Sequence, residues 1–186
     1  MSGSAKHVSK SRTVALAGLL LMGGVIAPAS AQSVSEDSVK AAFVYRFTDY
    51  VEWPAPVLQR PQFTIAVLDD PLLTQQLERI CTGHRIKGHP VRVKLIHRQK
   101  EASDAQIVFL GAGDADAHRR FIASLNGHPV LIVTDEDRGL EEGSTVNFIL
   151  VDQRLRFEIS LTAAERSGLK ISSELLSVAA RVEGHS

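Results

Sequence analysis

Cysteine is nearly absent: Cys81 stands alone in 186 residues. An intramolecular disulfide is therefore excluded, even in an oxidising compartment. Leu77 and Ile80 precede Cys81 at helical spacing, which favours a small buried hydrophobe over a reactive thiol or an intermolecular bridge. Membrane-length apolar runs are missing as well. The uncharged stretch from Thr13 to Ile26 is too short to span a bilayer with ease. It has the marks of a secretory leader instead, with Lys6, Lys10 and Arg12 ahead of it and Ala29-Ser30-Ala31 behind. Cleavage after Ala31 would leave Gln32 to Ser186, a length suited to one domain with its own core. The leader holds three basic residues and no acidic ones. The remainder then carries 18 Lys and Arg against 21 Asp and Glu, a formal charge of −3. With no basic excess, the chain has neither the footprint of a nucleic-acid binder nor a polybasic membrane patch.

The familiar catalytic signatures are missing too. No Gly-x-Ser-x-Gly elbow occurs. Beyond the leader the histidines are His84, His89, His97, His118, His128 and His185, and none pair at i, i+3 or i, i+4 as a helical zinc motif requires. Gly111-Ala-Gly113-Asp-Ala-Asp116 has two of the three glycines of a dinucleotide fingerprint. An Asp at the third place would repel a pyrophosphate, so a tight turn explains the same letters. Asp69-Asp70, with Asp135, Glu136 and Asp137 after a later strand, has the position of a Mg²⁺-dependent phosphoryl site. Asp-Asp-Pro is also an ordinary helix cap, and that is the favoured reading. These residues predict no catalysis, no metal and no cofactor.

What is present is alternation of strands and helices. Apolar positions at Val39, Phe43, Phe47, Tyr50 and Val51 predict a helix over Ser38 to Trp53, ended by Pro54. Phe63 to Leu68 is a buried strand, and Pro71 opens a helix with Leu72, Leu73, Leu77 and Ile80 inward. Val91 to Ile96 alternates apolar and basic residues, which places it at or near a sheet edge. Gln106 to Leu110 and Val130 to Thr134 are further strands. Between them Asp114 to Asn126 is a helix with Phe121, Ile122 and Leu125 inward. Thr145 to Leu150 and Arg154 to Ile159 form an antiparallel pair around Val151-Asp-Gln153. A short helix stopped by Gly168 follows, then a final amphipathic helix opened by Ser172-Ser173. Together they predict an α/β fold: a three-layer domain with a mostly parallel central sheet and a late antiparallel strand pair.

Three ordered blocks carry a family resemblance: Phe47-Thr-Asp-Tyr-Val-Glu-Trp-Pro54, Phe63-Thr-Ile-Ala-Val-Leu68, and Arg156-Phe-Glu-Ile-Ser160 through Leu175-Leu176. Over about Val39 to Val182 the chain resembles the YfiR family of bacterial periplasmic proteins. That resemblance implies a non-enzymatic regulator that binds the periplasmic part of an inner-membrane diguanylate cyclase and holds it inactive. Release would raise cyclic di-GMP and favour biofilm. It also implies homodimers and small-molecule ligands. The single Cys81 departs from the cysteine pairs common in that family.

Such a regulator needs an exposed surface with differential affinity for one state of its partner. Arg154, Arg156 and Glu158 alternate on a strand opposite Leu155, Phe157 and Ile159, and Lys170 and Ser172 sit just before the last helix. These five are the expected ligand or partner surface. The plainer account is a solvated sheet face plus a cap. Two rival functions remain: an exported small-molecule-binding domain serving a transporter or sensor kinase, and a metal-dependent hydrolase built on Asp69, Asp70 and Asp135.

Overall fold

The computed structural model describes residues 35–184. The expected leader and its cleavage site lie outside them. Helix α1 (Glu36–Tyr50) starts at Ser35, whose hydroxyl accepts from the Ser38 N–H. It gives way to a two-residue strand, β1 (Val51–Glu52). The helix was expected to run to Trp53. It stops three residues earlier because Val51 pairs with Ile171 and because Trp53 precedes Pro54, a position biased toward extended backbone. Trp53 is buried, and its indole N–H donates to the Gln106 carbonyl at 3.2 Å.

The central sheet has eight strands in the order β10-β8-β7-β6-β5-β2-β4-β3. Its parallel heart is β2 (Phe63–Leu68), β4 (His89–Ile96), β5 (Ile107–Leu110) and β6 (Leu131–Thr134). From β2 the chain passes through α2 (Pro71–Cys81) to β4 on one side; from β5 it passes through α3 (Ala115–Ser124) to β6 on the other. The order therefore reverses between β2 and β5. Strand β3 (Arg85–Ile86) is a short hairpin partner of β4, which places β4 one strand from the edge, near where alternation put it. Strands β7 (Val146–Val151) and β8 (Arg154–Ser160) pair antiparallel. Asp152 and Gln153 both take positive φ in their two-residue turn.

Alternation within the central strands feeds two cores. Phe63, Ile65, Val67, Ile107, Phe109, Leu131 and Val133 face α1 and α2, with Phe47, Leu73 and Leu77 opposite them. Ala66, Val108, Leu110 and Ile132 face Phe121, Ile122 and Leu125 of α3. Helices on both faces of a mostly parallel sheet complete the three expected layers. An aromatic knot ties the antiparallel end to α1: Phe157 lies 5.2 Å from Phe47 and 5.6 Å from Phe43, and Phe148 stacks 6.0 Å from Phe47.

The C-terminal block departs most from expectation. Helix α4 (Leu161–Arg166) ends as predicted near Gly168, whose φ of +63° suits glycine. Strand β9 (Lys170–Ile171) then pairs with β1 as a separate two-stranded sheet. Helix α5 (Ser173–Val178) has only six residues, and Arg181–Glu183 form β10, parallel to β8. The predicted long final helix fails because backbone pairing with β8 overrides its helical pattern. Leu72 is a second departure. It is 62 % exposed on the outer side of α2, while Leu73 is fully buried. Leu73→Ala should cost about 2–5 kcal/mol in urea unfolding, and Leu72→Ala should stay within about 0.5 kcal/mol.

Candidate functional site

Position on β8 decides the fate of the charged row. Arg154 and Arg156 are exposed near the hairpin turn, as the alternation predicted. Glu158, on the same face, is only 4 % exposed. The reason is the unforeseen β10: Arg181 lies beside Glu158 in the parallel pair and donates to its Oε2 through Nε at 2.8 Å. On the other side the Asn147 amide donates to Glu158 Oε1 at 3.0 Å. Asn147 also accepts from the Glu136 N–H at 3.1 Å and from the Thr134 hydroxyl at 2.8 Å. Gly139 completes this packing, since a Cβ there would collide with Thr134 and Asn147. Glu158 is thus a structural anchor rather than part of a wet surface.

The remaining four nominated residues are not gathered in one place. Arg156 donates to the Val178 carbonyl at 3.4 Å, at the end of α5. Ser172 caps the other end, its hydroxyl accepting from the Leu175 N–H at 3.3 Å. Lys170, exposed on β9, stands opposite Glu52 of β1. A six-residue helix therefore separates Arg156 from Lys170. The start of that helix is already capped. Ser172 occupies it, and Glu174 adds negative charge, its own backbone N–H and then the Ser172 hydroxyl holding its carboxyl below the usual range.

Several large apolar side chains are exposed at this end of the sheet. Leu150 is 64 % exposed and Val178 55 %, with Val151 and Val182 also open to solvent. Val151 pairs with Arg154 and shares its face, whereas Leu150 pairs with Leu155 on the opposite face; Arg156 reaches the end of α5. Beside them β10 is the edge strand of the sheet.

The carboxylates at the carboxyl ends of the parallel strands are engaged. Asp70 caps α2 by accepting from the Leu73 N–H at 2.9 Å. Asp69, at φ +52°, pairs with His97 Nδ1 at 2.5 Å. Asp114 caps α3. Glu136 binds the buried His118, and Asp135 binds Lys40. Among the described residues no group of three His, Cys, Asp or Glu is placed to hold a metal ion. Cys81 is buried, and burial pushes its thiol up to about 11, which leaves it unreactive. Among the described residues no helix is long and apolar enough to cross a membrane.

Residues 37–180 match the YfiR/HmsC-like family model. The chain belongs to that family. It is a family of periplasmic regulatory proteins that bind a signalling partner. Solved structures add the fold. A conserved domain protein from Vibrio cholerae O1 biovar El Tor superposes with a TM-score of 0.58 at 13 % identity, over 80 % of this chain and 60 % of that one. The ABC domain in complex with L-Trp from Streptococcus pneumonia gives 0.53 at 13 % identity, over 79 % of this chain and 60 % of that one. The chain thus spans about 60 % of the length of each, and at this identity the likeness is one of fold.

Lys40 offers a test of how the carboxyl ends are held. It is 7 % exposed and bonds both Asp135 and Glu36, the latter at 2.7 Å. Burial pulls its ammonium down, but the bonds to Asp135 and Glu36 outweigh this and hold it above the ordinary lysine value. Its stabilisation is therefore present throughout neutral pH and fades only as pH rises through that raised value. Asp37 behaves oppositely: burial, then nearby Asp70, hold its carboxyl above the usual range. The fold favours protonated Asp37, so its contribution grows as pH falls through the raised value and is lost as it ionises. Lys40→Met should cost about 1–3 kcal/mol at neutral pH. The deficit should shrink near about pH 4.5, as the abandoned carboxylates protonate. Urea unfolding at both pH values measures it; a deficit equal at both would mean lost packing alone.

Proposed function

We propose that this protein is a periplasmic regulatory binding protein that holds an inner-membrane signalling protein, a diguanylate cyclase, inactive by binding its periplasmic part. The observation that carries this reading is family membership over nearly all of the described chain, joined to the open β7–β8 hairpin end, where Leu150, Val151, Arg154 and Arg156 all reach solvent. Apolar area of this kind supplies affinity, while the two guanidinium groups steer and orient an acidic partner. Edge strand β10 offers backbone groups for strand addition on its free side. Lys170 and Ser172 lie at the far end of α5 and serve as its periphery. Export with cleavage after Ala31, a single domain from Gln32 to Ser186, and assembly with a second copy belong to the same reading.

A second reading follows from the fold. A solved relative in fold is titled an ABC domain in complex with L-Trp, which favours an exported small-molecule-binding domain serving a transporter or sensor kinase. The two readings separate in a pull-down of the purified protein against inner-membrane extract: a captured diguanylate cyclase supports the first, a captured transporter or kinase the second.

Arg154→Glu with Arg156→Glu should leave stability within about 0.5 kcal/mol, because both side chains are exposed. The same pair should raise cyclic di-GMP as deletion of the gene does. A folded, exported double variant that represses fully would remove the hairpin surface from consideration. The periplasmic protein should also begin at Gln32 by mass spectrometry; a full-length chain in the membrane fraction would refute export with cleavage.

A further inference from the structure

The amino ends of the parallel strands carry a cavity that nothing above uses. It has a volume of about 170 Å³, and Val57, Ala105, Leu125 and Val130 form its apolar wall. Arg60, Lys100 and His128 line it as well, and no Asp or Glu does. The charge arrangement is specific to this spot. Neighbouring cations are neutralised: Arg98 by Glu101 at 2.9 Å, and Lys94 by Asp104. Among the described residues Arg60, Lys100 and His128 take part in no ion pair. The cavity at the carboxyl end of β6 is mainly acidic, with Asp135, Glu136, Asp137 and Glu142 in its lining against the single cation Arg138.

We propose that the cavity at the amino ends of β5 and β6 is a binding site for a small monocarboxylate with a single-ring or short aliphatic body. Volume sets the body. An apolar protein cavity of about 150 Å³ admits benzene, whereas drug-sized ligands occupy roughly 300–1,000 Å³. Charge sets the head group. The guanidinium of Arg60 matches a carboxylate in a fork, the Lys100 ammonium adds a point charge, and His128 adds a ring nitrogen. The end of α3 also abuts the cavity through Leu125, and a helix C-terminus repels anions. Its partial charge of about one half is outweighed by the two full charges of Arg60 and Lys100. The carboxylate then sits at the half-buried Arg60 and the exposed Lys100 while the body replaces solvent against Val57, Leu125 and Val130. The inference does not depend on the partner surface, which lies toward the other end of the strands.

Sodium benzoate is the probe, with benzyl alcohol and benzylamine as neutral and cationic counterparts of the same size. Titration of the purified protein, followed by backbone amide NMR, should give saturable shifts at Ala105, Leu125 and Val130 with benzoate. Benzyl alcohol should bind roughly tenfold more weakly, and benzylamine should not bind. Arg60→Gln with Lys100→Gln should weaken benzoate by about tenfold or more. Lys100→Gln alone, at an exposed position, serves if the double variant is unfolded, with an expected loss of about threefold. Absence of saturable shifts, shifts mapping outside the cavity, equal binding of the three probes, or unaltered binding in the folded variant would each overturn the proposal.

Discussion

A carboxylate with almost no solvent must be answered on every side, and Glu158 organises the antiparallel end of the molecule for that reason. Its two oxygens receive the Asn147 amide and the Arg181 guanidinium. Leaving either oxygen bare would cost several kcal/mol. The Asn147 amide that reaches Glu158 also bonds the backbone of Glu136, and so fixes the loop leaving β6. Gly139 follows, because only a residue without a Cβ fits above that amide. Arg181 in turn brings the last strand onto β8, which turns the tail into the edge of the sheet. A short run of polar side chains thus specifies register where the apolar pattern alone would leave it loose.

The parallel half of the fold was legible because its signals are local. Phe63 to Leu68 and Gln106 to Leu110 read as buried strands from their own letters, and Asp70 and Ser172 cap helices as their positions foretold. Helical stripes failed where distant pairing decided the outcome. Val51 left α1 for a bridge to Ile171, far along the chain. Arg181 to Glu183 left a helical pattern for β8. Leu72 shows a finer limit: at the first turn of α2 the rotation separating inner from outer face is fixed by docking, so two adjacent leucines could not be told apart.

The candidate surface was half legible. Alternation along β8 located Arg154 and Arg156 in solvent, and it would have kept Glu158 there also. The burial of Glu158 depends on a partner in sequence positions that were read as helix. A change that frees Arg181 would strand the buried Glu158 carboxylate and loosen β10 from β8.

The two-residue clip of β1 and β9 has a kinetic meaning. It is the backbone seam between the first helix and the last, reinforced by the Ser172 N–H donating to the Tyr50 carbonyl at 2.9 Å. So few hydrogen bonds open at far lower free energy than the central strands do, which makes the clip a local unfolding unit. The strap from Val51 to Arg60 has this seam at one end and the wall of the amino-end cavity at the other. The Ser172 amide, whose N–H closes the seam, is therefore the one whose exchange reports how readily the first and last helices part.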